Sequence, residues 1–171
     1  MKKRIVILVS ILAVVLLVSL AAPQATAKQT SSLFEATFTG EFRIAGDVGK
    51  SVLFVVEESH IGEELTLGAF TYTAFLLHNV ARIPPDCYPG SSTGVDGSAV
   101  LTFGDDQIRL KRISGTACFE FPTVEIEEQW VIASGTGNYR GATGKLSRQL
   151  DGDVGSWTAV GTINGTIRFR D

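Results

Sequence analysis

From Leu33 onward the chain reads mostly in steps of two. Phe34, Ala36, Phe38, Phe42 and Ile44 share one phase, while Glu35, Thr37, Thr39, Glu41 and Arg43 share the other. Successive strand side chains point to opposite faces, so this alternation predicts a half-buried β-strand, with Glu35 and Glu41 on its solvated side. Val52-Leu53-Phe54-Val55-Val56, within 51–59, is a continuous apolar run of strand length. Residues 65–80 are rich in Thr, Phe and Tyr, which suit a pleated surface. Segments 97–103 and 107–121 flank Gly104-Asp105-Asp106, a composition suited to a hairpin turn. Strand-like patterning resumes over 123–134, 142–150 and 157–169; in the last, Trp157, Ala159, Ile163, Ile167 and Phe169 share a face.

That pattern predicts about eight strands and no amphipathic helix. Short connections place consecutive strands side by side and antiparallel. Eight such strands can close into a barrel, which removes exposed edges and leaves room inside for side chains or one small ligand. A two-sheet β-sandwich is the alternative, and periodicity does not separate the two. The one long irregular stretch, 81–94, holds Pro84-Pro85, Cys87, Pro89 and Ser91-Ser92 and is expected to loop over one barrel end. Residues 28–32 read as a flexible polar leader. No linker divides 33–171, so that span is expected to be one domain.

The first 27 residues change the bookkeeping. Met1-Lys2-Lys3-Arg4 is basic, 5–22 is apolar, and Ala25-Thr26-Ala27 offers small residues for cleavage, the order of a secretory signal peptide. Kept as an anchor, the apolar run would be at the short limit of a spanning helix; Pro23 and the Ala-Thr-Ala site favour cleavage. Either way the folded part is expected to be secreted, periplasmic or at the cell envelope, with no membrane span after cleavage. Removal takes Lys2, Lys3 and Arg4 and no acid, leaving 12 basic against 18 acidic residues, a balance of −6. A chain of that sign is a poor binder of nucleic acid. All 18 glycines fall in the exported part. So do both cysteines, Cys87 and Cys118, and an even count in an oxidising compartment predicts one disulfide between them.

Several chemistry-bearing patterns fail on context. Gly135, Gly137, Gly141 and Gly144 punctuate a connection carrying Tyr139, which can tuck into a barrel mouth. The spacing Gly-x-Gly-x-x-x-Gly, without a helix after it, excludes a dinucleotide loop. Gly90-Ser91-Ser92-Thr93-Gly94 matches Gly-x-Ser-x-Gly, but Pro89 precedes it, no helix follows, and His60 and His78 both lie upstream. Asp151-Gly152-Asp153 lacks the further carboxylates of a calcium loop. Two histidines at this spacing make no zinc site. No metal or other cofactor is implied. Asn164-Gly165-Thr166 is a glycosylation sequon, meaningful only in a eukaryotic secretory pathway.

The run Ile132-Ala133-Ser134-Gly135-Thr136-Gly137-Asn138-Tyr139-Arg140-Gly141-Ala142-Thr143-Gly144-Lys145-Leu146 resembles the Gly-x-Gly-x-(aromatic)-x-Gly-(small)-x-Gly segment of the allene oxide cyclase-like barrels. That superfamily includes plant allene oxide cyclases, dirigent proteins and many exported bacterial proteins, and this chain looks like an exported, bacterial-type member. The terminal Gly161-Thr162-Ile163 and Gly165-Thr166-Ile167 agree with it. The resemblance implies an eight-stranded antiparallel barrel. It implies no cyclase activity, because the matching segment is a turn without a catalytic group, and no second motif aligns the carboxylate thought to assist the cyclases.

Polar residues in apolar phases are the better lead. Glu128 falls among Val124, Ile126, Trp130 and Ile132, Arg112 is in phase with Ile108 and Leu110, and His78 with Tyr72, Ala74 and Leu76. A carboxylate inside a barrel acquires a raised pKa or a cationic partner, for which Arg112 is placed. Glu128, Arg112, His78, Tyr72, Trp130 and Tyr139 are therefore the candidate ligand-binding set, and Glu128 the one catalytic candidate. An inward Glu128–Arg112 pair with a purely structural role is an equal expectation. The functional expectation is a secreted, non-catalytic barrel module that binds a small apolar ligand. Its alternatives are an isomerase or cyclase using Glu128, and a self-associating envelope protein.

Overall fold

A computed structural model describes residues 29–47, 52–88 and 91–170. The segment read as a signal peptide lies outside them. Eight antiparallel strands in chain order, β1 (Gln29–Asp47), β2 (Leu53–Glu64), β3 (Gly68–Asn79), β4 (Ser92–Phe103), β5 (Asp106–Glu120), β6 (Thr123–Gly135), β7 (Thr143–Asp153) and β8 (Thr158–Arg170), form one closed barrel. Each strand pairs with the next, and β1 closes on β8 from Gln29↔Arg170 to Glu41↔Thr158. The sandwich alternative is thereby replaced by a single closed sheet. Closure satisfies the backbone groups an open sheet leaves at its edges.

Where boundaries differ from the sequence reading, backbone pairing explains the difference. Residues 29–32, read as a leader, belong to β1 and pair with β8. A ladder needs main-chain groups, not alternating side chains, so polar residues extend it unseen. For the same reason β2 runs to Glu64, past the apolar run, and β4 begins at Ser92, inside the stretch read as loop. Leu65–Leu67, read as strand, form the β2–β3 turn. That turn is held by the Glu64 carboxylate, which accepts from the Thr66 and Leu67 amides (2.7 and 2.6 Å) and the Thr66 hydroxyl (2.8 Å). Trp157, read as an inward residue of the last strand, sits in the β7–β8 turn at φ +60° and packs edge-on against Phe42.

The two barrel ends differ in kind. The β2–β3, β4–β5 and β6–β7 connections close one end. There Phe34, Phe70, Phe103, Tyr139 and Phe169 pack ring against ring, with centroid separations of 5.4–6.5 Å. Gly135–Gly144 serves this plug: a single 3-10 turn, Gly137–Tyr139, delivers the Tyr139 ring. The turn is fixed by the Thr136 hydroxyl, which accepts from the Gln107 amide, and by Asp106, which accepts from the Asn138 amide. Gly137 at φ +50° and Gly135, where a Cβ would meet the Tyr139 carbonyl oxygen at 2.1 Å, leave little room for larger residues. The β3–β4, β5–β6 and β7–β8 turns lie at the other end. There Cys87, between β3 and β4, is joined to Cys118 of β5 by a disulfide, with Cα atoms 5.1 Å apart.

Aromatic stacking is expected to dominate the closed end. Phe103→Ala should lower the free energy of unfolding in chemical denaturation by about 3–5 kcal/mol, the usual cost of deleting a buried phenyl ring.

Candidate functional site

Between the two ends the interior carries charge. Glu58 and His60 of β2, Tyr72 and His78 of β3, Arg112 of β5, Glu128 and Trp130 of β6 and Arg148 of β7 are all buried and face inward. Arg148 is the central link. Its guanidinium donates to both oxygens of Glu58, the Nη2 contact being 2.9 Å. Its Nε lies 3.1 Å from Glu128 Oε2, within ion-pair distance but without hydrogen-bond geometry. The same guanidinium lies over the rings of Tyr72 and Phe38, at 5.1 and 5.6 Å from their centroids. Glu128 also accepts from Arg112 Nη1 (2.8 Å) and from the Trp130 indole (3.1 Å). Two carboxylates thus balance two guanidinium groups in an interior that would otherwise penalise each charge by several kcal/mol.

Arg112 fits because the sheet opens for it. Strands β4 and β5 pair at 92–94 with 115–117 and again at 98–103 with 106–111, but not in between. In that gap Arg112 Nη2 donates to the carbonyls of Leu77 (2.6 Å) and Asp96. Gly94, Gly97 and Gly115 surround it, and a Cβ on Gly94 would come within 2.7 Å of the guanidinium carbon.

Electrostatics follow from this packing. Burial opposes the ionised form of Glu58, but Arg148 and His60 outweigh it, and the carboxyl is held below its ordinary range. Burial likewise opposes charge on Arg148, while Glu128 and Glu58 overcome it and push its pKa up. Burial pushes the Tyr72 hydroxyl well above its usual value. Burial, and then the Arg112 charge, lower His78 from 6.5 to about 4.

His78 is therefore neutral, and its tautomer follows from its neighbours. A guanidinium only donates, so His78 Nε2 accepts from Arg112 Nη1 at 3.2 Å. Nδ1 then carries the proton and donates to Ser92 Oγ at 3.0 Å. The chain thus brings Ser92 of the Gly-x-Ser-x-Gly match against a histidine, which its order in sequence does not suggest. The polarity is wrong for a nucleophile. Hydrolytic triads place a carboxylate behind the imidazole to favour proton uptake; here an arginine stands there and disfavours it.

Above this charged layer, towards the disulfide end, lies a cavity of about 300 Å³. Its walls are Phe42, Ile44, Phe54, Val56, Ala117, Phe119, Phe121, Val124, Ile126, Val154 and Trp157, with His78 contributing its ring. Phe54 stacks on His78 at 5.3 Å. Apart from His78 and the Trp157 indole, every lining side chain among the described residues is hydrocarbon.

Of the six ligand candidates read from the sequence, His78 alone lines this cavity. Glu128, Arg112, Tyr72 and Trp130 converge with it in the interior but lie in the layer beneath. Tyr139 is in the plug at the opposite end. Sequence reasoning missed Glu58, His60 and Arg148. Arg148 carried a readable signal, since it is in phase with Leu146 and Leu150, as Glu128 is with its neighbours. Glu58 and His60 are in phase with Phe54 and Val56, but both faces of that stretch are polar, which hides the phase.

No family model and no curated protein matches the chain. Among solved structures it is similar to the pterocarpan synthase dirigent protein GePTS1, at 13% identity and a TM-score of 0.49 over 88% of this chain and 96% of that one. The pterocarpan synthase dirigent protein PsPTS1 gives 13% identity and a TM-score of 0.47 over 84% and 97%.

Removing one member of the charged layer leaves its partners buried and uncompensated. Arg148→Met should cost about 3–5 kcal/mol. Adding Glu58→Gln should cost less than the sum of the two single changes in a double-mutant cycle by denaturation. Stability should also fall with acid. The unfolded chain protonates its histidine near 6.5, the folded His78 only near 4, so stability declines as pH drops through that window. Glu58, shifted down, loses its contribution below its ordinary carboxyl pKa, extending the decline. His78→Gln, which can still accept from Arg112 and donate to Ser92, should flatten the upper part of the profile, measured by thermal unfolding from pH 7 to 4.

Proposed function

We propose that this protein is an extracytoplasmic barrel that binds a small, uncharged, largely apolar ligand in the cavity at its disulfide end, without catalysing a reaction on it. The observation that carries this reading is the contrast between wall and floor. The wall is hydrocarbon and aromatic, and its volume, about 300 Å³, suits a small organic molecule. The floor is His78, whose two nitrogens are both committed, to Arg112 and to Ser92. No free base, acid or nucleophile faces the cavity among the described residues. A carboxylate ligand would enter without a facing cation, since the Arg112 guanidinium behind His78 is already committed to Glu128 and to backbone carbonyls. The disulfide supports an oxidising compartment.

A cyclase or isomerase reading would need Glu128 within reach of the ligand. Its oxygens are instead taken by Arg112, Arg148 and Trp130 beneath the floor. No observation favours self-association as an envelope component.

The cavity can be filled from within. Ala117 lines it and is itself buried, so Ala117→Phe places a ring in the space a ligand would take. Titration with the neutral fluorophore N-phenyl-1-naphthylamine should show saturable binding to the native chain. Affinity should drop at least tenfold in the variant while far-UV circular dichroism is unchanged. Equal affinity in the two proteins, or no binding to the native one, overturns the reading.

A further inference from the structure

The disulfide lies where the barrel wall is paired with a neighbouring strand on one side only. Strand β4 starts at Ser92, opposite Ala117. Beyond that point Cys118, Phe119 and Glu120 pair with Glu125, Val124 and Thr123 of β6 but with no residue of β4. Among the described residues, the other edge of this tip is held by two attachments from the connection between β3 and β4. One is the Cys87–Cys118 bond; the other is Ser91 Oγ, fully buried, accepting from the Phe119 amide at 3.0 Å. The tip is also cavity wall, since Ala117, Phe119, Phe121 and Val124 all line the cavity. Both cysteines are half-buried.

We propose that the Cys87–Cys118 bond is a redox latch on the β5–β6 hairpin tip: closed, it holds one wall of the cavity in place; open, it frees that wall while the barrel stays intact. The consequence for ligand rests on the binding reading above; the mechanical part does not. Locality follows from the pairing. The Ser92↔Ala117 pair adjoins the bond, so in the folded chain the disulfide closes only a short additional loop, 87–92 with 117–118, onto a ladder already complete from β1 to β8. Strand edges held by few hydrogen bonds open before paired ones. Opening requires two electrons from a dithiol. Its thiolate attacks one sulfur and forms a mixed disulfide, displacing the other cysteine as a thiolate that takes up a proton. The second thiol of the reductant, deprotonated, then attacks the mixed disulfide and frees the first cysteine. Two cysteine thiols and one oxidised dithiol result.

The test compares the full chain, oxidised and dithiothreitol-reduced, with the Cys87→Ser/Cys118→Ser double variant and with Ser91→Ala. Hydrogen exchange followed by mass spectrometry reads peptides covering 117–124 against peptides from β1 and β8, and N-phenyl-1-naphthylamine titration reads the cavity. The latch predicts at least tenfold faster exchange confined to 117–124 in the reduced and double-variant chains, with Ser91→Ala intermediate. It also predicts at least tenfold weaker probe binding in the two bond-free forms. Unchanged exchange at 117–124 overturns the latch, whatever the probe does. Faster exchange throughout β1 and β8 overturns it as well, because the bond would then be a staple of the whole barrel. Local loosening with undiminished probe affinity overturns the gating of ligand while leaving the binding reading intact. Local loosening in a chain that never bound the probe sustains the mechanical latch and removes the binding reading.

Discussion

Arg148 is shared between two carboxylates that approach it from different strands, and the interior of the barrel is organised around that fact. Glu58 comes from β2, Glu128 from β6 and Arg148 from β7, and Glu128 passes the connection on to Arg112 of β5. Arg112 reaches the carbonyls of Leu77 on β3 and Asp96 on β4, so one balanced set of charges touches six of the eight strands. A hydrocarbon layer of similar volume could be as stable, because charges lose hydration on burial. What the ionic layer adds is discrimination: a one-residue slip of β2, β5, β6 or β7 would turn its charge outward and strand its partner inside.

The layer also divides the barrel. Below it, the aromatic plug fills the space and the connections at that end are tied down by Asp106, Thr136 and Glu64. Above it, space remains. The small side chains that make room lie next to the large groups that need it. Gly94, Gly97 and Gly115 accommodate Arg112, and Gly40 accommodates the His60 ring, whose Nδ1 would lie 2.5 Å from an added Cβ. Glycine richness, a feature of composition alone when read along the chain, is in part the steric counterpart of the buried charges.

Period-two patterning was enough to read the strand number and the disulfide-bearing strand, and phase was enough to turn Glu128, Arg112 and His78 inward. Both follow from local geometry, which repeats every two residues whatever the fold. The boundaries failed where polar stretches continue a ladder, as at 29–32 and 92–96, because backbone pairing leaves no mark in side-chain pattern. The site failed for a different reason. Phase says that a residue faces inward but not at what height, and height separates His78, which reaches the cavity, from Glu128 and Tyr72, which do not. Tyr139 shows the remedy. In an up-and-down barrel alternate connections lie at opposite ends, so the β6–β7 turn cannot share an end with the β3–β4 loop that carries Cys87. Counting strands already places that tyrosine away from the disulfide mouth.

The same counting bears on how such a barrel can change what it holds. The cavity wall is built from strand ends and turns at one mouth, whereas the charged layer is built from strand middles. Substitutions at Ile44, Phe121 or Trp157 alter the mouth without touching an ion pair; substitutions at Glu58 or Arg148 disturb every partner at once. A binding specificity carried at the rim is free to vary, while the floor is not, because His78, the polar side chain that faces the cavity there, has both ring nitrogens committed to Arg112 and Ser92. His78 shows why. Its imidazole is the titratable group that lines the cavity, and it is kept from taking up a proton first by burial and then by the same arginine that fixes its orientation.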